Sequence, residues 1–178
     1  MSREGRVVGL FLRRSGAKTS PDSLRYPVHM GKIAIREARG EDLARVLELY
    51  REGEIGEGQS FSPEEALAQL AVFRKYPNYR VFVAEFNGAI AGTYELLIMD
   101  NLAKRGRKSA IVEDVAVGKQ YRGHGIGRAM LEHALELAQD AQCYKLALSS
   151  NLNREGAHAF YETLGFEKHG YSFRVEIA

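Results

Sequence analysis

The chain of 178 residues is 45% hydrophobic and 27% charged, which is the composition of an ordinary soluble globular protein. Its formal net charge of +2 at pH 7 comes from interspersed acidic and basic residues, and this balance argues against binding to nucleic acid. No stretch approaches the roughly 20 apolar residues that a membrane-spanning helix needs. The single cysteine, Cys143, excludes an internal disulfide and lies in an apolar stretch typical of a buried thiol. We expect a cytoplasmic protein.

Residues 1–31 differ from the rest of the chain, because they are rich in arginine and contain only one short apolar stretch, VVGLFL. A signal peptide would need a longer apolar region, and Glu4 and Asp22 argue against a transit peptide. We expect an N-terminal extension that docks on the body of the protein or on a second subunit, unless the natural start is Met30. One domain is predicted over residues 32–178.

The first predicted elements of that domain are a strand and a helix. KIAIREAR, at 32–39, alternates apolar and polar residues as a half-buried strand does. GEDLARVLELY, at 40–50, has acids in its first turn and one apolar face, which predicts a helix. REGEIGEGQSF, at 51–61, is rich in glycine and glutamate and is predicted to be a loop.

A second helix is predicted at 62–76, where SPEEALAQLAVFRKY begins with Ser62 as N-cap, Pro63 at the first helical position and Glu65 completing a capping box. Two strands follow at 79–100 around Asn87-Gly88, a dipeptide that favours a tight hairpin turn.

The second half of the domain alternates strands and helices. After a basic connection at 101–109, which is either a solvated loop or a cover for a substrate, AIVEDVAV predicts a strand at 110–117. A long helix follows, with an apolar stripe of Ile126, Met130, Ala134 and Leu137. The remaining elements are a strand at 144–150, a helix at 154–165 and a terminal strand pair at 166–177. This order predicts one mixed α/β domain.

Three glycines crowd the stretch QYRGHGIGRAML, at 120–131, immediately before the long helix. A plain turn would explain them. Alternatively, a strand, a tight glycine turn and a helix N-terminus place several free backbone N–H groups around one point, where they attract a phosphate group. Glycine lets the anion approach the backbone and permits positive φ angles. Arg122 and Arg128 would add positive charge at the same place.

The spacing distinguishes between phosphate-binding loops. A Walker loop needs Gly-Lys-Ser/Thr, and a Rossmann fingerprint needs G-x-G-x-x-G with an acid after the second strand; neither is present. The pattern Arg-x-x-Gly-x-Gly, formed by Arg122, Gly125 and Gly127, resembles the acetyl-CoA pyrophosphate loop of the GNAT superfamily of N-acetyltransferases. AHAFYETLGF, at 157–166, is similar to the last helix of that superfamily, and VEDVAV precedes the loop at the expected distance.

The resemblance covers residues 32–178 and implies a central, mostly antiparallel sheet with a splayed parallel pair, flanked by helices. It implies acetyl-CoA as co-substrate and no metal. The pantetheine would bind the main chain of Val115, Ala116 and Val117, with the Val115 N–H polarising the thioester oxygen. The remaining coenzyme contacts implied by the resemblance are Arg122, Gly123, His124, Gly125, Ile126, Gly127, Arg128 and, unless it is a helix N-cap, Asn153.

The resemblance also implies catalytic groups. Tyr161 matches the tyrosine that protonates the departing thiolate, although it is alternatively a tyrosine packed between helix and sheet. Glu113 is the candidate general base, with substrate binding or a structural role as alternatives. By strand alternation Glu113 shares a face with Val115 and Val117, while Asp114 points to the opposite face and has a weaker claim to contact the substrate.

The acceptor is left open by the sequence. The pair Glu113-Asp114 resembles the acidic pair of amino-sugar acetyltransferases, whereas SSNLNREGAHAFY, with Arg154 where the common pattern has asparagine, resembles bacterial aminoalkylphosphonate acetyltransferases. The latter likeness favours an anionic amine. Acids of the loop at 51–61 would favour a cationic amine; these are Glu52, Glu54 and Glu57.

The predicted function is transfer of an acetyl group to the primary amine of a small molecule by a homodimer that binds neither nucleic acid nor membrane. Three alternatives remain open at this point: acetylation of a protein amino group, an acyl-CoA sensor without turnover, and a nucleotide-binding module. The five histidines form no metal-binding set in the sequence.

Overall fold

Five strands form a single sheet in the part of the chain that the computed structural model describes, residues 31–56, 60–175 and 177. The sheet order follows the chain order, with antiparallel pairing from β1 to β4 and parallel pairing between β4 and β5. The strands are Ile33–Glu37 (β1), Tyr79–Phe86 (β2), Ala89–Met99 (β3), Ser109–Val117 (β4) and Leu146–Leu148 (β5).

Four α-helices flank this sheet within the described residues. They are Leu43–Glu52 (α1), Pro63–Phe73 (α2), Ile126–Asp140 (α3) and Glu155–Thr163 (α4). Helix α3 lies on one face, where its predicted apolar stripe packs against β3 and β4. Helices α1 and α2 cover the other face through a second cluster of buried residues. Burial of both faces explains why the middle strands are almost continuously apolar.

Short-range signals predicted several element boundaries correctly. The Ser62 hydroxyl accepts a hydrogen bond from the Glu65 N–H at 3.3 Å, and the Glu65 carboxylate accepts one from the Ser62 N–H at 2.8 Å, which confirms the capping box. Asn87 and Gly88 adopt φ angles of +52° and +84° between β2 and β3, which confirms the predicted hairpin turn.

The parallel pair separates along its length, as the fold prediction required. Pairing between β4 and β5 runs from Ala110 with Leu146 to Val112 with Leu148 and then stops. Strand β4 continues to Val117, so its second half has a strand neighbour only on the β3 side. The result is an opening between the two strands at the middle of the sheet.

The predicted terminal strand pair at 166–177 is wrong for the single chain. The described residues after α4 contain no strand, and Tyr171 and Phe173 are 89% and 91% exposed. A strand requires a neighbouring strand for its backbone hydrogen bonds, and no strand among the described residues pairs with that segment. The predicted N-terminal extension at 1–31, including the possible start at Met30, lies outside the described residues except for Gly31. No helix among the described residues is long and apolar enough to span a membrane.

Candidate active site

The opening between β4 and β5 is the candidate active site, because it collects several of the residues that the sequence singled out. Its walls come from four parts of the chain: the end of α1, the middle of β4, the end of β5 and helix α4. The lining residues are Ile55, Val112, Glu113, Asp114, Val115, Leu148, Ser149, Ser150, Asn151, Arg154 and Tyr161.

A β-bulge in β4 determines which side chains face this opening. Asp114 has φ of +49°, and the register with β3 shifts there so that two residues of β4 oppose one of β3. The expectation that Glu113 shares a face with Val115 and Val117 is therefore wrong. Glu113 lies on the α1 face, across from Glu95, whereas both valines pack into the cluster beneath α3. One extra residue reverses the alternation.

Glu95 of β3 is a buried carboxylate that was not predicted from the sequence. It is 7% exposed and accepts hydrogen bonds from the hydroxyl groups of Tyr50, at 3.1 Å, and Tyr79, at 2.5 Å. Burial raises the pKa of Glu95, and the hydrogen bond from Tyr79 partly opposes that rise. The sequence signal that could have revealed Glu95 is its position in the middle of an otherwise apolar strand, AGTYELLIM. A buried carboxylate needs hydrogen-bond donors around it.

Glu113 and Asp114 form the exposed part of the same acidic group. Burial raises the pKa of Asp114, and burial together with the charge of Asp114 raises the pKa of Glu113. A carboxylate with raised proton affinity is a better proton acceptor near neutral pH. Both residues line the opening, so either can reach a bound amine.

The backbone of β4 offers hydrogen-bonding groups to the opening. The Gly118 N–H donates to the Ala91 carbonyl of β3 at 2.9 Å, and Ala116 pairs with β3 in the same register. Alternation therefore turns the main chain of Ala116 into the ladder with β3. The Val115 C=O and the Val117 N–H and C=O point away from β3 instead, toward the side from which β5 has separated, so Val115 and Val117, and not Ala116, present main-chain groups there.

The glycine loop after β4 ends in a helix N-terminus with unused amides. Gly123 and Gly125 have φ of +81° and +80°, and a Cβ atom at either would have no heavy atom within 4 Å. The space above the loop is thus open. No side chain caps α3 at Gly125, and the Ala129 N–H donates to the Gly125 carbonyl at 3.0 Å. The amides of 126–128 precede the first intrahelical bond and can bind an anion.

Gly127 has a structural role that was not predicted from the sequence, whereas Ile126 takes its predicted place in the apolar stripe of α3. A Cβ atom at Gly127 would lie 3.3 Å from the Phe160 ring, so the missing side chain allows α3 and α4 to pack closely. The Ile126 side chain is buried in the cluster beneath α3. Only the main chain of these two residues is available to a ligand.

The charged residues of the loop are held near its rim. Arg122 is exposed, and its Nε lies 3.5 Å from the Val117 carbonyl. Arg128 forms an exposed ion pair with Glu132 at 3.4 Å. The His124 ring packs 5.2 Å from the Phe86 ring, and its Nδ1 lies 3.1 Å from the Arg122 carbonyl oxygen.

Tyr161 lies on the α4 side of the opening. Its ring packs against Phe160 and Phe166, with centroid distances of 5.6 Å and 6.0 Å. Burial raises the pKa of its hydroxyl, and the charge of Arg154 opposes the rise. The phenol therefore keeps its proton over a wider pH range, which is what a proton donor requires.

The segment before α4 differs from the prediction. Arg154, and not Asn153, is the N-cap of α4, and it makes no side-chain cap. The Asn151 side-chain oxygen accepts a hydrogen bond from the Asn153 N–H at 2.9 Å, and Asn153 is absent from the opening's lining. Arg154 donates to the Gly53 carbonyl at 2.6 Å, which joins the start of α4 to the end of α1 across the opening.

The charged loops on either side of the sheet contribute less to the opening than expected. Glu52 accepts hydrogen bonds from Arg45 at 2.8 Å and from the Lys119 N–H at 2.7 Å, so it anchors α1 to the glycine loop. Glu57 lies outside the described residues. The basic connection at 104–108 lies at the opposite end of β4 from the bulge, with Arg107 6.0 Å from the centre of the Tyr144 ring.

The remaining titratable residues considered in the sequence lie elsewhere. His133 of α3 contacts the buried Tyr94 hydroxyl at 2.6 Å, and burial raises the pKa of the Cys143 thiol. Among the described residues, no group of three His, Cys, Asp or Glu side chains is placed to hold a metal ion.

A sheet that opens between a parallel pair, with a glycine loop and helix N-terminus beside the gap, defines the class of acyl-CoA-dependent acetyltransferases. A sequence profile of the acetyltransferase (GNAT) family matches residues 43–166. The chain therefore belongs to the GNAT family and is an acetyl-CoA-dependent acyltransferase.

Individual relatives agree with this assignment. Glucosamine 6-phosphate N-acetyltransferase from Trypanosoma brucei brucei is 33% identical over 147 residues, which cover 82% of this chain and 96% of that protein. Thialysine N-epsilon-acetyltransferase from Bos taurus is 29% identical over 147 residues, covering 76% and 85%. A crystal structure of a Trypanosoma brucei acetyltransferase, 32% identical, superimposes with a TM-score of 0.70 over 82% of this chain and 100% of its own.

Proposed function

We propose that this enzyme transfers the acetyl group of acetyl-CoA directly to the primary amine of a small molecule. The observation that carries the proposal is the order of groups along one strand and its following loop. The carboxylates at 113–114 come first, then the outward-facing backbone of Val115 and Val117, and then the unbonded amides of 126–128 at the start of α3. The same order is needed by the two substrates: the acceptor amine lies beside the carboxylates, and the thioester, pantetheine and diphosphate of an extended acetyl-CoA follow along the strand and loop.

The glycine loop holds the coenzyme in this proposal. The amides of 123–128 donate to the diphosphate, and Arg122 adds positive charge at the rim. The outward N–H and C=O groups of Val117 bind the pantetheine arm. The Val115 N–H donates to the thioester oxygen and stabilises the negative charge that develops there.

Glu113 and Tyr161 perform the proton transfers. Glu113 takes a proton from the acceptor's ammonium group, directly or through water, so that the neutral nitrogen attacks the thioester carbon. The C–N bond forms, the C–S bond breaks, and Tyr161 donates its proton to the departing sulfur. The raised proton affinities of both groups suit these roles.

The acidic group beside the opening favours an acceptor that arrives as a cation. Glu95, Glu113 and Asp114 supply negative charge on one side, and a bound ammonium would relieve their mutual repulsion. Both relatives described above act, by their names, on small molecules that carry an amino group: glucosamine 6-phosphate and thialysine. We therefore favour a small amino sugar or amino acid over a protein amino group. Tyr161 in the opening argues against a sensor without turnover.

The assembly and the compartment are also part of this proposal. We infer that the enzyme acts as a homodimer, and that it is cytoplasmic. The division into an N-terminal extension at 1–31 and a domain at 32–178 stays a prediction.

Two measurements test the proposed function. Thermal shifts with acetyl-CoA, CoA, NAD and ATP should show selective stabilisation by the first two, because a ligand that binds the folded state raises apparent stability. Thiol release should then be measured across amino sugars, thialysine, polyamines, an aminoalkylphosphonate and a lysine peptide, with acetylated products identified by mass. Turnover of a small amine supports the proposal. Stabilisation by ATP or NAD alone, or acetylation of the peptide alone, would overturn it.

A further inference from the structure

The C-terminal end of α1 is bonded to both sides of the opening between β4 and β5. On the β4 side, the Glu52 carboxylate accepts a hydrogen bond from the Lys119 N–H at 2.7 Å, at the start of the glycine loop. On the β5 side, the Gly53 carbonyl accepts one from the Arg154 guanidinium at 2.6 Å, just before α4. The two bonds are made by adjacent residues, so one short piece of backbone connects the two sides.

The end of α1 is itself fixed against β4. A Cβ atom at Gly53 would lie 3.5 Å from the Ala116 Cβ, so the helix ends directly on the part of the strand that β5 no longer accompanies. Arg45 forms an ion pair with Glu52 at 2.8 Å and donates to the Ile90 carbonyl of β3 at 3.2 Å. The Glu52 carboxylate is therefore held by its own helix as well as by the loop.

The opening needs such a link because the sheet does not set its width. The ladder between β4 and β5 ends at the pair Val112 and Leu148, and none of the described residues continues it. The reacting groups lie beyond that pair, where strand hydrogen bonds no longer keep the two sides at a fixed distance. A displacement of about 1 Å between reacting groups lowers a rate by roughly 100-fold, so the distance matters for group transfer.

We propose that Glu52 and Arg154 are positioning residues, and that residues 52–53 form a brace that sets the width of the opening. Glu52 fixes the start of the glycine loop and therefore the amides that receive the coenzyme. Arg154 fixes the start of α4 and therefore the Tyr161 hydroxyl. This inference rests on the proposed function, because it takes the loop as the coenzyme site and Tyr161 as the proton donor.

The connection between Arg154 and Tyr161 follows from their places on one helix. They are seven positions apart, which is two turns, and therefore share a face of α4. Both line the opening. The charge of Arg154 also opposes the rise that burial causes in the pKa of Tyr161, as a nearby cation should. A shift of the start of α4 would therefore move the hydroxyl within the opening.

The Glu52 side of the brace is tested by coenzyme binding. Calorimetry should show that Glu52→Ala raises the Kd for CoA by roughly 10-fold, because the Lys119 N–H loses a charged acceptor and the loop loses its anchor. Glu52→Gln keeps an oxygen for that N–H and should raise the Kd by at most roughly 3-fold. Glu48→Ala is the matched control, since Glu48 also pairs with Arg45, at 2.9 Å, but is half exposed one turn earlier, and its Kd should equal that of wild type.

The Arg154 side is tested by a double-mutant cycle with Tyr161, using the amine found in the acceptor screen. Arg154→Met keeps the length of the side chain and should lower kcat by roughly 10-fold in wild type, but by less than about 2-fold when Tyr161 is already Phe. Arg154→Lys, which retains a donor, should recover part of the loss. Arg74→Met, at the exposed end of α2, is the control and should leave kcat unchanged. Circular dichroism checks the folding of each variant.

The outcomes separate this inference from the proposed function. Equal losses of kcat from Arg154→Met in both backgrounds would show that Arg154 does not act through Tyr161, and a CoA Kd unchanged in Glu52→Ala would remove the anchor of the loop; either result overturns the brace. Absence of turnover in wild type with every amine would instead refute the proposed function, and the CoA Kd of Glu52→Ala would still decide the brace.

Discussion

Glu95 of β3 lies directly across from Glu113 of β4, so two carboxylates share the face of the sheet that α1 covers. Glu95 is held by two tyrosine hydroxyl groups, whereas Glu113 reaches the opening. Burial raises the pKa of both glutamates, and the charge of Asp114, which stands next to them at the bulge, raises it further. The proton affinity of the carboxylates at the acceptor site is therefore set by Glu95, Glu113 and Asp114 together and not by any one of them.

Replacement of Asp114 should change the pH dependence of the reaction. Because the charge of Asp114 adds to burial in raising the pKa of Glu113, Asp114→Asn should lower that pKa, and the base should ionise at lower pH. The acidic limb of the kcat/KM profile should then move to lower pH. Asp140→Asn, at the exposed end of α3, is the matched control and should leave the profile in place. If the acidic limb of the Asp114→Asn profile stays where it is in wild type, Glu113 is not the general base.

Replacement of Glu113 itself distinguishes its two candidate roles. Glu113→Gln should lower kcat by roughly 100-fold if the carboxylate accepts the proton, since general-base catalysis contributes on that scale. A higher KM for the amine with kcat unchanged would instead assign Glu113 to substrate binding. Steady-state kinetics with the amine found in the acceptor screen measures both constants.

Removal of the Tyr161 hydroxyl should slow the chemical step. Tyr161→Phe keeps the ring contacts with Phe160 and Phe166 but removes the proton donor, so kcat should fall by roughly 100-fold while KM for acetyl-CoA stays close to that of wild type. Tyr144→Phe, at the far end of the sheet, is the control and should retain full turnover. Undiminished kcat in Tyr161→Phe would remove this residue from the mechanism.

A side chain in the glycine loop should weaken coenzyme binding specifically. Gly125 and Gly88 both have positive φ, +80° and +84°, and a Cβ atom added at either would meet no heavy atom within 4 Å. Alanine at either position should therefore cost about 1 kcal/mol of folding free energy. Only Gly125→Ala should also raise the KM for acetyl-CoA, by roughly 10-fold, because its methyl group obstructs the amides at the start of α3. An equal KM in the two variants would exclude the loop as the diphosphate site.

The ion pair between Arg36 and Asp42 should make stability depend on pH in the acid range. Asp42 is 3% exposed and receives hydrogen bonds from Arg36 at 2.6 Å and 2.9 Å and from the Arg39 N–H at 2.7 Å. The Arg36 guanidinium lowers the pKa of Asp42, aided by the Arg39 N–H. The stabilisation is therefore complete above the unfolded value of about 3.9 and is lost as pH falls through the lower folded value.

Asp42→Asn should accordingly destabilise the fold by about 2 kcal/mol at neutral pH, since the partly buried Arg36 guanidinium loses its charged bond to Asp42 and keeps only Glu85, 2.8 Å from its Nε. The difference from wild type should shrink below the folded pKa of Asp42. Urea unfolding at several pH values measures it, with the exposed neighbour Glu41→Gln as the control. A constant difference from neutral to strongly acidic pH would contradict the electrostatic explanation.

Features encoded by neighbouring residues were predictable from the sequence. The capping box at Ser62, the turn at Asn87-Gly88 and the positive φ angles of the glycine loop each depend on backbone sterics and hydrogen bonds within a few positions. The same locality made the loop and the last helix identifiable as those of an acetyltransferase. The apolar stripe of α3 could also be predicted, because helical periodicity is a property of a single segment of the sequence.

Only the tertiary structure decided which side chains of neighbouring strands meet in the site. Glu95 and Glu113 are distant in sequence and meet through the register of β3 and β4, and the bulge at Asp114 reversed the faces that alternation had assigned. A bulge arises from pairing with another strand, so no pattern within β4 announces it. The terminal segment shows the same dependence from the other direction: its sequence has the period of a strand, but a strand exists only where a neighbouring edge accepts its hydrogen bonds.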